Sequence, residues 1–259
     1  MEVLYDVFGA YNKKENLADR FDGKRSGRKM DAVNHMKAVC VPQTAQLLGH
    51  ILYEPNRSDL SELPLMVYLH GAGERENDLS HLERCALPWL VKLGRSYDAI
   101  ILCPQCPADR VWDNVVADVK NLIDSVVAEY QIKKDRICIT GSSMGGFGTW
   151  MMAMTYRNFF SGIAPVAGGN MSWRSQNLIS TPVFAAHGDR DSVVPIEYSR
   201  FMVDALKAQN ANVLFKVLEG YGHNDGIEKA YVDGEITDWL LKQRRTDFTP
   251  VPETLSELF

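Results

Sequence analysis

The sequence predicts an α/β fold with a mostly parallel, doubly wound sheet and helices on both faces. Three observations lead to this prediction. Short apolar runs of the kind that form buried strands alternate with amphipathic segments of helical period. Glycine-rich or acid-bearing turns follow several of the apolar runs. With 259 residues, of which 46% are hydrophobic and 24% charged, the chain matches one large globular domain.

The predicted strands and helices alternate along residues 37–243, which we predict to be the α/β domain. The runs predicted as strands are residues 37–55, a pair broken at Pro42 and Gly49 at an antiparallel edge, followed by 64–70, 99–103, 137–140, 162–168, 182–187 and 213–218. The segments with helical character are residues 81–93, interrupted at Pro88, followed by 112–130, 150–156, 196–209 and 227–242. Because function in such sheets gathers at the carboxyl ends of the strands, we expect the functional residues in the turns that follow them.

The two ends of the chain carry little pattern. Residues 1–36 are polar, and we predict an N-terminal extension of undetermined structure. Residues 244–259 are predicted to be a C-terminal tail that runs over the surface or reaches a neighbouring subunit, so a homo-oligomer stays open. Residues 1–10 lack the basic start and apolar core of a signal peptide, and no apolar run is long enough to span a membrane.

Charge and cysteine usage argue against several classes of function. A net charge of −5 without a basic stripe argues against nucleic acid and anionic membrane as partners. The five cysteines are odd in number and scattered, which favours a reducing cytoplasm over a disulfide scaffold. Cys103 and Cys106 have the C-x-x-C spacing, but no second pair or nearby histidine completes a metal site. We therefore expect neither a metal nor a cofactor.

One stretch organises the rest of the chain, the pattern Gly141-x-Ser143-x-Gly145 between a β-branched strand and a helix. This is the G-x-S-x-G nucleophile elbow, a strand-to-helix turn so tight that small residues are needed two positions either side of the serine. The turn lifts the Ser143 hydroxyl above the sheet and aims a helix N-terminus at it. The alternative interpretation is a glycine-rich strand-to-helix turn with no catalytic role. Other residues of the chain are needed to distinguish it from a nucleophile elbow.

A serine hydroxyl is a weak nucleophile that needs a base, and the base needs an orienting acid. His223 is the natural base, because it follows the last predicted strand in a Gly-x-Gly-His turn. The acid is expected between Ser143 and His223, where the turn after residue 187 offers Asp189 and Asp191. The other histidines lack this combination of strand end and order, and we predict structural or solvent-facing roles for His35, His50, His70, His81 and His187.

An oxyanion hole needs two backbone N–H groups aimed at the carbonyl oxygen on which charge develops. Met144 follows the nucleophile directly and is predicted to supply one of them. The turn His70-Gly-Ala-Gly73 is predicted to supply the other from Ala72, because its small residues let the backbone approach a substrate.

Together these pieces resemble the α/β-hydrolase superfamily. Within it the chain is similar to the dienelactone-hydrolase and polyhydroxybutyrate-depolymerase-like esterases, also described as predicted peptidases or phospholipase/carboxylesterases. The motifs that carry the resemblance are Leu69–Asp78, Pro104–Pro107, Asp135–Ile137 leading into Thr140–Trp150, His187–Pro195 and Gly222–His223. They span about residues 50–242, and as an ordered set they are specific.

The resemblance implies an α/β-hydrolase fold in which Ser143 is the nucleophile, Asp191 the acid and His223 the base. It also implies Ala72 and Met144 as the oxyanion donors. On this pattern Asp191 is favoured over Asp189, which we expect to pin its turn. The family usually has an aromatic residue shortly after the histidine, and this chain has Gly226-Ile227 instead. That departure affects the wall of the acyl pocket rather than the triad.

The substrate is predicted from what surrounds the elbow. The connection from Gly168 to Thr181, where many hydrolases insert a lid, is too short for a helical cap, so we expect an open site without a large lid domain. An open site suits small esters or esters attached to an oligosaccharide, such as acetyl or feruloyl esters. Trp173 in this connection is predicted to contact the substrate, and Trp112 either lines the site or starts a helix in the core.

These observations predict a metal-free serine carboxylesterase. A peptidase of the same fold is the rival enzyme, although amide cleavage demands better protonation of the leaving group and usually a gating domain. A catalytically inactive binding protein is the rival from another class. The ordered presence of Ser143, Asp191 and His223 argues against that second rival, because a scaffold needs none of them.

Overall fold

The computed structural model describes residues 36–247. Within them one eight-stranded sheet has the order β1-β2-β4-β3-β5-β6-β7-β8. Its strands are β1 (Lys37–Val41), β2 (His50–Glu54), β3 (Leu65–Leu69), β4 (Ile100–Pro104), β5 (Ile137–Ser142), β6 (Gly162–Val166), β7 (Val183–Gly188) and β8 (Val213–Leu218). The pairs β1–β2 and β2–β4 are antiparallel, and the remaining neighbours are parallel. The predicted mostly parallel sheet with an antiparallel edge is confirmed.

Six α-helices lie within the described residues, joined by short 3₁₀ segments. They are α1 (Ala86–Lys92), α2 (Val116–Glu129), α3 (Met144–Thr155), α4 (Glu197–Ala208), α5 (His223–Val232) and α6 (Glu235–Lys242). None of the helices in residues 36–247 has the length and apolar character that a bilayer-spanning helix needs. Apart from Met36, the predicted N-terminal extension lies outside the described residues, as do residues 248–259 of the predicted tail.

The sheet buries both of its faces, each under its own set of helices. Along β3, Leu65, Val67 and Leu69 belong to one apolar cluster, whereas Met66 and Tyr68 belong to the other. The first cluster includes buried residues of α2, α3 and α4, and the second includes those of α1, α5 and α6. Side chains of a strand alternate between faces, so a strand covered on both sides has to be apolar throughout. This is why β3 appears in the sequence as a continuous apolar run.

Three predicted helices differ from the structure. The helix predicted over residues 150–156 begins six residues earlier, at Met144. The break in residues 81–93 falls at Cys85 and Ala86, whose φ of 50° is positive, rather than at Pro88. Pro88 lies in the first turn of α1, where the missing N–H costs no intrahelical hydrogen bond. The final predicted helix, 227–242, begins four residues earlier at His223 and is divided at Gly234, whose φ is 78°. A left-handed residue ends a helix, and glycine adopts that conformation without steric cost.

Candidate active site

The elbow between β5 and α3 has the strained backbone that its sequence predicts. Ser143 adopts φ 56° and ψ −121°, a combination that side-chain-bearing residues rarely adopt. A Cβ at Gly145 would overlap the carbonyl group of Leu69, and one at Gly141 would overlap the carbonyl oxygen of Gly145. Because β3 and β5 are direct neighbours, the turn has no room for larger residues at these two positions.

Three of the predicted site residues form one hydrogen-bonded series. The Nε2 atom of His223 lies 2.9 Å from Ser143 Oγ, and its Nδ1 atom lies 2.7 Å from Asp191 Oδ2. The Asp191 side chain is fully buried and that of His223 is 9% exposed. These contacts have the geometry of a nucleophile, a base within hydrogen-bond reach and a group that orients the base.

The carboxylate of Asp191 is fixed by its own loop. Its Oδ1 atom accepts the backbone N–H groups of Val193 at 2.9 Å and Val194 at 2.8 Å, which leaves Oδ2 to face His223. Burial alone raises the pKa of Asp191, but hydrogen bonds from His187, His223 and the Val194 N–H outweigh it and hold that pKa well below its usual range. The group is therefore ionised at neutral pH.

Asp189, the other acid in this turn, has a different contact. Its Oδ1 atom accepts the backbone N–H of Gly220 at 2.6 Å, which ties the loop after β7 to the loop after β8. The two loops carry Asp191 and His223, so Asp189 stabilises the distance between them without contacting either. Of the two candidate acids, it is Asp191 that contacts His223.

The two predicted oxyanion donors each begin a helical segment. Met144 is the first residue of α3, and Ala72 is the first residue of the 3₁₀ segment Ala72–Glu74 after β3. The first N–H groups of a helix have no intrahelical acceptor and remain available to a ligand. Gly71 brings this segment close to the elbow, since a Cβ built on it would lie 3.6 Å from Ser143 Cβ. This placement is compatible with donation of both N–H groups to an oxyanion. The roles of Ala72 and Met144 as oxyanion donors remain predictions.

The position of Trp112 fits the second of its two predicted roles, the start of a helical segment in the core, and not a substrate contact. Its side chain is buried, with only 1% of the residue exposed, and a Cβ on Gly148 would lie 2.7 Å from its own Cβ. The indole N–H donates to the carbonyl oxygen of His70 at 2.9 Å, and the two rings meet edge to face at 4.9 Å. Trp112 therefore packs beneath the turn that holds Ala72 and supports it from inside the core.

His70 directly follows β3 and also anchors this turn. Its Nε2 atom accepts the Cys106 N–H at 2.9 Å, so the neutral ring carries its proton on Nδ1 and donates it to Gly71 O at 2.6 Å. Burial lowers the pKa of His70 to about 4, which keeps the ring neutral and this arrangement intact at physiological pH. The prediction of a structural role for His70 fits these contacts.

Four aromatic residues lie on the segments that follow the carboxyl ends of β5, β6 and β7. Phe147 lies one turn after Ser143 on α3, and its ring meets that of Tyr198 edge to face at 5.5 Å. Phe201 follows one turn along α4, 63% exposed, and Trp173 in the connection after β6 is 56% exposed. We call Phe147, Trp173, Tyr198 and Phe201 the aromatic rim.

The remaining predictions concern the two cysteines with C-x-x-C spacing and the binding of a metal. Cys103 and Cys106 are buried free thiols. Among residues 36–247, no group of three or more His, Cys, Asp or Glu side chains is arranged to hold a metal ion.

Comparison with known proteins gives a family match. A family model described as phospholipase/carboxylesterase matches residues 99–229, which is just over half of the chain of 259 residues. The matched segment contains the elbow, Asp191 and His223. It leaves the turn with Ala72 outside.

Individual relatives match shorter parts. Poly(3-hydroxyalkanoate) depolymerase C of Paucimonas lemoignei is 43% identical over 51 residues, which cover 20% of this chain and 12% of that protein. The bifunctional acetylxylan esterase/xylanase XynS20E of Neocallimastix patriciarum is 33% identical over 136 residues, covering 51% of this chain and 20% of that protein. The chain thus spans a small part of these two relatives. The crystal structure of a thermostable esterase, 27% identical, superposes with a TM-score of 0.71 over 82% of this chain and 64% of its own.

Proposed function

The chain belongs to the phospholipase/carboxylesterase family, and we propose on that basis that it is a serine carboxylesterase acting through an acyl-enzyme. The observation that carries this proposal is the series from Ser143 through His223 to Asp191, with hydrogen bonds of 2.9 and 2.7 Å. A scaffold gains nothing from a strained serine aligned with a histidine and a buried carboxylate.

Each group has a separate part in the proposed reaction. Ser143 Oγ attacks the ester carbonyl while His223 Nε2 takes its proton, and the same proton then goes to the leaving alcohol. Asp191 holds the imidazole with Nδ1–H toward itself and stabilises the positive charge that forms on the ring. The N–H groups of Ala72 and Met144 are the proposed donors to the oxyanion. Water then releases the acid by the same sequence of proton transfers.

The experiment that tests the proposal compares two substrates and one label. We expect turnover of p-nitrophenyl acetate, little turnover of an aminoacyl-anilide, and labelling by a fluorophosphonate that is lost in Ser143→Ala. Faster cleavage of the anilide would favour a serine peptidase. Absence of both turnover and labelling would favour a binding protein.

We propose that the natural substrates are short-chain or polymer-attached esters, because the connection after β6 is too short to form a cap over the site. The connection after β6 consists of a short loop and the 3₁₀ segment Ser172–Leu178, which packs against the core through Ser175, Asn177 and Leu178. A segment this short does not fold over an acyl chain as a helical cap does.

This argument predicts the acyl preference. Each buried methylene is worth about 0.8 kcal/mol, so a deep acyl tunnel makes efficiency rise with chain length. Here we expect acetyl to butyryl esters to be preferred and efficiency to fall beyond about six carbons. The measurement is kcat/KM for a p-nitrophenyl ester series from C2 to C16, below and above the concentration at which the long esters aggregate. A maximum at C10 or longer, or a jump in activity at the interface, would contradict an open site.

The aromatic rim supports the polymer-attached part of the proposal. Flat aromatic faces bind sugar rings and phenolic acyl groups, and a relative that is 33% identical is an acetylxylan esterase/xylanase. We expect Trp173→Ala to lower kcat/KM for feruloylated or acetylated oligosaccharides by about 3- to 10-fold. Turnover of p-nitrophenyl acetate is expected to stay unchanged, because this ester has no sugar ring or phenolic acyl group for Trp173 to contact.

Leu93→Ala is the matched control for this variant. Leu93 is 60% exposed, close to the 56% of Trp173, and lies at the carboxyl end of α1. It is expected to change neither activity. An equal loss on both substrates in Trp173→Ala would mean that the tryptophan supports the fold or the triad rather than a sugar or phenolic ring.

A cytoplasmic location and a partner list limited to the ester substrate remain part of the same proposal. The location is supported by the five cysteines at positions 40, 85, 103, 106 and 138, which form no disulfide with one another in residues 36–247.

A further inference from the structure

His187 is a buried histidine that the proposed reaction does not use, although it contacts the triad. It is the next-to-last residue of β7, and its side chain is fully buried. Its Nε2 atom lies 2.8 Å from the carbonyl oxygen of Val194 and 3.2 Å from Asp191 Oδ2. On the other side of the ring, Nδ1 lies 2.8 Å from Ser199 Oγ. Asp191 is thus held between two imidazole rings.

The partners of His187 determine where its protons lie. The partners of Nε2 are a carbonyl oxygen and a carboxylate, which only accept, so Nε2 carries a hydrogen. On the other side, the Ser199 hydroxyl joins Nδ1 to the carbonyl oxygen of Gly168, which lies 2.7 Å from Ser199 Oγ.

We propose that His187 acts as a positioning residue for Asp191. The inference rests on the proposed function, in which Asp191 orients His223. With His187 the carboxylate of Asp191 has four donors, two backbone N–H groups on Oδ1 and two imidazoles on Oδ2. That number matches its lone pairs, so the carboxylate cannot rotate away from His223.

Two amide substitutions of His187 test the contributions of its two ring nitrogens separately. The amide nitrogen of Gln extends about as far as Nε2 of histidine and can still donate toward Asp191, whereas that of Asn replaces Nδ1 and reaches only Ser199. We expect His187→Asn to lower kcat by about 10- to 100-fold with KM within twofold, because a misplaced acid misplaces the base. His187→Gln is expected to keep at least threefold more of the wild-type kcat than His187→Asn.

His50→Gln is the matched control. His50 is also buried, 4% exposed, and bonds a main-chain carbonyl through Nδ1, but it lies on β2 and contacts no triad residue. Its kcat is expected to equal that of the wild type. A kcat for His187→Asn within twofold of His50→Gln would overturn the positioning role. Should His187→Asn fail to fold by circular dichroism, Ser199→Ala replaces it, with a loss of kcat of about three- to tenfold expected and no loss overturning the proposal.

The donation from His187 is read directly from the wild-type protein by ¹H–¹⁵N NMR with ¹⁵N-labelled histidine. We expect one ring, absent from the spectrum of His187→Gln, to carry a hydrogen-bonded proton on Nε2, the nitrogen that faces Asp191. A bare Nε2 on that ring would overturn the proposed donation to Asp191. This measurement does not depend on activity. Failure of the esterase proposal would appear separately, as a wild-type protein that neither hydrolyses p-nitrophenyl acetate nor takes the fluorophosphonate label.

Discussion

Replacing Ser143 with alanine is expected to lower kcat/KM for p-nitrophenyl acetate by about 10⁴- to 10⁶-fold. The substitution removes the only atom proposed to bond to the substrate carbonyl and leaves His223 without its 2.9 Å partner. His223→Ala is expected to cost a similar factor, because nucleophile and base act as a unit and losing either removes the same step. The measurement is steady-state hydrolysis, with circular dichroism to show that each variant is folded.

The adjacent serine provides the control for this prediction. Ser142 belongs to the same elbow, but its hydroxyl bonds the Tyr68 hydroxyl at 3.0 Å inside the core and does not contact His223. Ser142→Ala is expected to keep kcat/KM within about tenfold of the wild type, since it loses one buried hydrogen bond and no reacting atom. If Ser143→Ala retained more than a tenth of the wild-type activity, another residue would be the nucleophile.

The second large effect concerns the acid. Asp191→Asn is expected to lower kcat by roughly 10⁴-fold. An amide that still accepts the Val193 and Val194 N–H groups through its oxygen turns its NH₂ toward His223 Nδ1, which then has to accept rather than donate. The proton of His223 moves to Nε2, so the ring cannot take one from Ser143. The measurement is kcat of Asp191→Asn and of the wild type as a function of pH.

Asp189→Asn is the matched control two residues away. Its side-chain oxygen can still accept the Gly220 N–H, so the tie between the two loops is retained. We expect less than tenfold loss of kcat, with any effect appearing as a lower Tm. A larger loss in Asp189→Asn than in Asp191→Asn would reverse the assignment of the acid.

The sheet and the elbow could be predicted from the chain because their signals are local. Continuous apolar runs mark strands covered on both faces, and the run at Leu65–Leu69 forms a central strand as expected. The elbow is local as well, since the glycines at 141 and 145 lie within two residues of Ser143. Their need for small side chains comes from the tightness of that one turn.

Two features could not be predicted from nearby residues in the sequence. They are the burial of Trp112 and the division of the last helix. Nothing near Trp112 in the sequence indicates that its indole N–H meets the carbonyl of His70, 42 residues away. The division of the last helix depends on Gly234 adopting a positive φ, which a glycine inside a helical pattern permits but does not require.

The sequence by itself determined the order of strands and helices, the elbow and the short set of residues from which a triad can be drawn. Local periodicity and turn chemistry suffice for these, because each depends on neighbours a few positions away. Only the tertiary structure decided that Asp191 rather than Asp189 meets His223, that Trp112 lies in the core, and that His187 contacts the acid. Each of these depends on the distance between atoms of separate loops or strands. That distance is set by the order of the strands in the sheet, in which β7 and β8 are direct neighbours.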